Sequence, residues 1–106
     1  MARYLFKVSY SVDGLKGVMK EGAENRATFI AKMAAGLGGS VESFDFAFGQ
    51  TDVYAICEMP DDETAAAVAM AVGSSGVGST DTVKLLTPAQ IDKARGIQTG
   101  YRPPGG

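Results

Sequence analysis

Three features of this chain predict an α+β sandwich in the order strand, helix, strand, strand, helix, strand. Two apolar-alternating runs lie back to back near the middle, a helical stripe of apolar residues flanks them on either side, and a strand-like run lies near each end. That order is the split βαβ pattern of a ferredoxin-like fold. At 106 residues the chain is long enough to bury most of its apolar surface as one domain without disulfides or metal. The reading places the domain at residues 1–95 and an extended tail at 96–106.

The first strand is Arg3 to Tyr10, rich in aromatic and branched residues. Ser11 follows as a helix cap, with Asp13 in the first turn. From Val12 to Leu37 apolar residues fall at 15, 18 and 19, then at 30, 33, 34 and 37, the stripe of a helix lying on a flat layer. Gly14, Gly17 and Gly22 weaken its front half by about 1 kcal/mol each relative to alanine, so a break is expected near Gly22. The Gly38-Gly39 pair ends it.

Val41 to Phe48 and Val53 to Met59 are two strands around a turn, in which Gly49 supplies backbone freedom and Asp52 can bond neighbouring amides. Pro60 stops the second strand because it has no N–H for a ladder. Asp61, Asp62 and Glu63 then open a helix at its positive dipole end, with Ala65, Val68, Ala69 and Val72 as its apolar stripe and Gly73 and Gly76 at its close. A fourth strand runs through roughly Thr80 to Leu86. Thr87-Pro88-Ala89-Gln90 supplies a cap, a first-turn proline and a capping-box glutamine for a short last helix.

A turn of two or four residues sets Phe48 opposite Val53, and opposed residues share a face of the sheet; a three-residue turn would shift this pairing. One face then collects Phe44, Phe46, Phe48, Val53, Ala55 and Cys57 and carries the helices. The other collects Ser43, Asp45, Ala47, Tyr54, Ile56 and Glu58, with Arg3, Leu5, Lys7 and Ser9 from the first strand. This second face is mixed rather than polar, the surface that packing against another sheet requires.

Composition excludes several functions. Lys and Arg number 10 against 12 Asp and Glu, so no electrostatic footprint for a nucleic acid is present. With no histidine, neither a Ser-His-Asp nor a Cys-His apparatus can be assembled, and zinc and axial-histidine haem sites go with it. No metal and no cofactor is expected. Cys57 is the single cysteine, which precludes an intramolecular disulfide and fits a reducing cytoplasm; it reads as a packed small hydrophobe. The N-terminus reads as a mature first strand, and no apolar run is long enough to span a membrane; membrane association is not expected. The acidic triplet 61–63 reads as capping and Gly36-Leu37-Gly38-Gly39 as a helix stop, since the latter precedes a strand, the reverse of a nucleotide loop.

The stretches GLKGVMKEG, GLGGSVESFDFAFGQTDVYAICEMPD, KLLTPAQID and YRPPG, with the alanine-rich helix between, resemble the GYD-domain family of small bacterial and archaeal proteins over nearly the whole chain. The resemblance implies a dimeric α/β-barrel type of fold and no established biochemical activity. One position departs from the pattern: in Gly49-Gln50-Thr51-Asp52, Thr51 stands where the family's tyrosine is expected. The role of the missing ring would be turn packing, or would pass to Tyr54.

Lys7, Asp45, Tyr54 and Glu58 on the mixed face, with Asp52 in the turn, are the candidate ligand-binding residues; no catalytic residue is assigned. Lys16, Lys20 and Arg26 around the glycine-broken helix are a weaker candidate for an anionic ligand. Two functions are expected to compete: a homo-oligomeric module that binds a small metabolite or scaffolds a partner, and a cofactor-free isomerase or monooxygenase acting on a small compound, aromatic or otherwise. The second rests on fold analogy.

Overall fold

A computed structural model describes all 106 residues. The elements are β1 (Ala2–Tyr10), α1 (Val12–Glu21), α2 (Ala23–Gly36), β2 (Ser40–Phe46), β3 (Val53–Met59), α3 (Asp62–Ser74), β4 (Gly78–Leu85) and α4 (Pro88–Ala94). The strands form one antiparallel sheet in the order β2-β3-β1-β4, the ferredoxin-like arrangement.

The first helical region is two helices. Ser11 caps α1, its hydroxyl accepting from the Gly14 amide and donating to the Gly76 carbonyl. Gly22 ends α1 and starts α2 with φ 97°, a conformation that side chains disfavour, and this is the expected break. α1 reaches the body through Gly14, where an added Cβ would lie 1.9 Å from the Val77 carbonyl oxygen. That close approach turns Val18 inward and leaves Leu15 and Met19 exposed, so of the expected stripe's front half only Val18 faces the body. The helix break is the reason: one straight helix would carry 15, 19 and 30 on one line, whereas two helices need not.

The hairpin register differs from the expected one by two residues. Phe46 opposes Val53 and Phe44 opposes Ala55, and the Ala47 amide bonds the Asp52 carbonyl across the turn. An even shift preserves the face of every strand residue, but it puts Phe48 into the turn, where it is fully exposed rather than packed under a helix. The turn is pinned elsewhere: the Asp52 amide donates to the Val8 carbonyl, and its carboxylate accepts from the Tyr10 amide at 2.7 Å. A bulge between Val41 and Ser43 completes the pairing.

The core lies between the sheet and the α2/α3 layer. Tyr4, Phe6, Val53, Ala55, Cys57 and Met59 enter it from β1 and β3, and Ala34 and Ala65 from the helices. Alanine on both helices is small, and the sheet offers Ala55 and Cys57 opposite, so a void of about 60 Å³ remains among Phe6, Ile30, Ala34, Cys57, Val68 and Ala69. Asp61 caps α3 through the Thr64 amide and hydroxyl at 2.7 and 2.6 Å, and Thr87 and Gln90 form a capping box on α4.

Candidate functional site

The face of the sheet opposite the helices is organised in rows, because the pairing of all four strands sets residues side by side. One row reads Asp45, Tyr54, Lys7, Asp81 across β2, β3, β1 and β4. The next reads Ser43, Ile56, Leu5, Val83, and the third Ser40, Glu58, Arg3, Leu85. An apolar band therefore crosses the sheet between two ionisable ones. Val83 is 39% exposed and Leu5 and Ile56 are half-buried, and Tyr54 in the row beside them is 40% exposed, so no part of the chain itself covers this band.

Within the first row the Lys7 ammonium lies 3.1 Å from Asp81, and Lys7 is paired on β3 with Tyr54, which in turn is paired with Asp45. Adjacent strands are about 4.8 Å apart, so neighbouring members of the row, Tyr54 with Lys7 or with Asp45, can meet one small ligand, while the whole row spans about 14 Å. In the third row Arg3 donates through both Nε and Nη2 to Glu42, at 2.9 and 2.8 Å, a bond that holds the guanidinium further into its charged form; Ser40 approaches Glu58 at 3.5 Å.

Of the five residues expected to bind a ligand, the sheet brings Lys7, Asp45 and Tyr54 into one row. Glu58 shares their face but lies four residues from Tyr54 on β3, about 13 Å along the strand, beside Arg3. Asp52 is off the face altogether, its carboxylate engaged by the Tyr10 amide. Lys16 and Lys20 are exposed on α1, whereas Arg26 turns toward Glu21 at 3.8 Å and stacks over Phe29 with 5.2 Å to the ring centroid. The three cations do not form one anion mouth.

Two partners escaped the sequence reading. Asp81 completes the Lys7 row, and only the β1–β4 register reveals it. Glu42 reaches Arg3 from beside the β2 bulge, which no local pattern announces.

On the helix side, Tyr4 donates its phenol to Asp62, whose carboxylate also pairs with Lys84 at 2.9 Å. The bond to Asp62 first, and burial second, push the Tyr4 phenol up to about 12; the same bond, then Lys84, holds Asp62 below the usual carboxylate range. Cys57 lines the apolar void, where burial pushes its thiol up to about 11. A thiol so placed is a packing group rather than a nucleophile. Tyr10 is also raised, by burial against the partial offset of Arg26.

This α+β sheet layer with a mixed outer face defines the class of protein. A GYD-domain family model matches residues 4–94, and the chain belongs to the GYD-domain family. A search of curated proteins and of solved structures finds no match to the chain.

Proposed function

We propose that the protein is a homo-oligomeric module whose outer sheet face packs against a second copy and holds a small polar metabolite, or a scaffolded partner, at the Asp45-Tyr54-Lys7-Asp81 row. The observation that carries the reading is the apolar row Ile56-Leu5-Val83 lying uncovered between two ionisable rows. A solvated sheet face gains nothing from that band; a facing copy would bury it, at roughly 25 cal/mol per Å² of apolar surface removed from water. The ionisable rows then border the contact, where two carboxylates, a phenol and an ammonium offer both donors and acceptors. A reducing, cytoplasmic setting fits the single cysteine; no helix is long and apolar enough to cross a membrane.

The test is the mass of the full chain by light scattering at micromolar concentration, with native mass spectrometry of the same sample to detect a co-purifying small molecule. A dimer or larger species is expected, and Ile56→Lys is expected to return a monomer with an unchanged circular dichroism spectrum. A wild-type monomer overturns the reading. The enzyme alternative requires an enclosed pocket around Tyr54; no cavity of the single chain includes that residue or Asp45.

A further inference from the structure

Beyond a cleft that Leu86, Thr87 and Gln90 share with Met1, Ala2, Arg3 and Glu58, residues 86–106 project from the rest of the molecule. Every one of them is exposed, α4 has no buried residue, and each hydrogen bond or ion pair they make is internal to the segment: Thr87 with Gln90, Asp92 with Arg95, Tyr101 with Thr99, Arg102 with the Gly106 carbonyl. The projection lengthens the chain to 57 × 33 × 23 Å with a radius of gyration of 17.0 Å, against about 13 Å for a compact domain of this size.

This segment is not built to be a free tail. It carries Leu86, Ile91, Ile97 and Tyr101, all at least half exposed, four large apolar side chains that its own chain leaves in water. Its helix spans only Pro88–Ala94, and a helix that short is marginal in water without tertiary packing, however well it is capped. Something must cover it for the capped geometry to persist.

We infer that residues 86–106 form an arm that crosses to a second copy of this chain and packs Ile91, Ile97 and Tyr101 against the border of that copy's outer sheet face. Charge and topology together favour that surface. The arm holds Lys93, Arg95 and Arg102 against Asp92, while the outer face holds Glu42, Asp45, Glu58 and Asp81 against Arg3 and Lys7, so the two are opposite in sign by two charges each. The exposed apolar residues of α1, Val12, Leu15 and Met19, lie among Asp13, Lys16, Lys20 and Glu21, whose charges cancel and offer the arm no net attraction. Topology agrees, since the arm leaves from β4, an edge strand, immediately after Leu85 on the outer face. In a stack of two sheets it continues past its own border and onto the facing copy. The inference rests on the proposed dimer and adds what its rim is made of.

The test is an isotope-filtered nuclear Overhauser experiment on a one-to-one mixture of labelled and unlabelled full-length chain. Contacts from Ile91, Ile97 and Tyr101 of one copy to the border of the other's outer face, at Ser43 or Asp45 on β2 or Val83 or Leu85 on β4, are expected, and the double variant Ile97→Ser, Tyr101→Ser is expected to weaken self-association at least tenfold with the fold retained. A dimer whose arm gives sharp random-coil signals and no contact between copies overturns the arm and leaves the proposed dimer standing. Contacts to Met70 on α3, to the α1 stripe, or only within one chain also overturn it, and a monomer overturns both.

Discussion

The two faces of one strand behave as two different materials. Along β3, Val53, Ala55, Cys57 and Met59 are buried under α2 and α3, while Tyr54, Ile56 and Glu58 between them remain partly in solvent. The side-chain period of two separates a surface that this chain completes by itself from one that it does not. The largest expected effect sharpens that contrast: Met59→Ala, at a site 1% exposed, should cost about 2–5 kcal/mol of unfolding free energy at any protein concentration. Under the proposed dimer, Ile56→Ala should cost less in dilute solution and more as concentration rises, because a second copy would cover it. Chemical denaturation across a hundredfold range of concentration compares them; equal, concentration-independent losses would erase the distinction between the faces.

Smaller effects probe how the helix-covered side is held. Gly14→Ala forces a methyl onto the Val77 carbonyl, and a backbone shift there should cost about 1–3 kcal/mol in thermal unfolding. Asp52→Ala should cost about 1.5–3 kcal/mol by removing a charge-assisted bond to the Tyr10 amide, yet leave the oligomer mass unchanged. A loss of self-association in that variant would return Asp52 to the outer site.

Alkaline pH acts on two groups of the covered side. Cys57 and Tyr4 titrate at about 11 and 12 in the fold against ordinary values of 9.0 and 10.0, so their neutral forms stabilise the native state fully below pH 9 and 10. That stability falls as pH rises, through 9 to 11 for the thiol and 10 to 12 for the phenol. Asp62, held low, acts in the opposite sense: its contribution is present above the ordinary carboxylate range and is lost as pH falls through its depressed value. Urea midpoints measured from pH 8 to 12 should decline, and Tyr4→Phe should remove the higher limb.

Much of this fold was legible because each element carries its own local signal. The Thr87/Gln90 box, the Asp61 cap, the Gly22 break and the alternation of β3 are written within a few residues and need no long-range information. The face assignment survived a register error because the error was even. What failed was set at a distance. Phe48 was lost to the turn because Asp52 is tied to Val8 and Tyr10 on another strand, and Leu15 and Met19 are exposed because α1 docks through a glycine against Val77. The candidate site was half visible: alternation placed Lys7, Asp45 and Tyr54 on one face, but their alignment with Asp81, and the separation of Glu58, follow from pairings between strands far apart in the chain.

The smallest effect expected in a dilute monomer is also the one that best reads the environment of the outer face. Lys7 and Asp81 are 3.1 Å apart with side chains 30% and 70% exposed in the single chain. A pair so solvated contributes about 0–1 kcal/mol, and Lys7→Met should change the stability of a dilute monomer by no more than that. Buried beneath a second copy, the same pair would be desolvated, and removal of its cation would leave Asp81 charged without a partner, a loss of about 3–5 kcal/mol. Charge neutralisation at both ends separates the cases further, because Lys7→Met with Asp81→Leu should restore most of the loss in a covered face and none in an exposed one. Denaturation of the single and double variants at low and high concentration therefore reports whether water or protein lies over the row, and a sub-kilocalorie effect at every concentration would mean water.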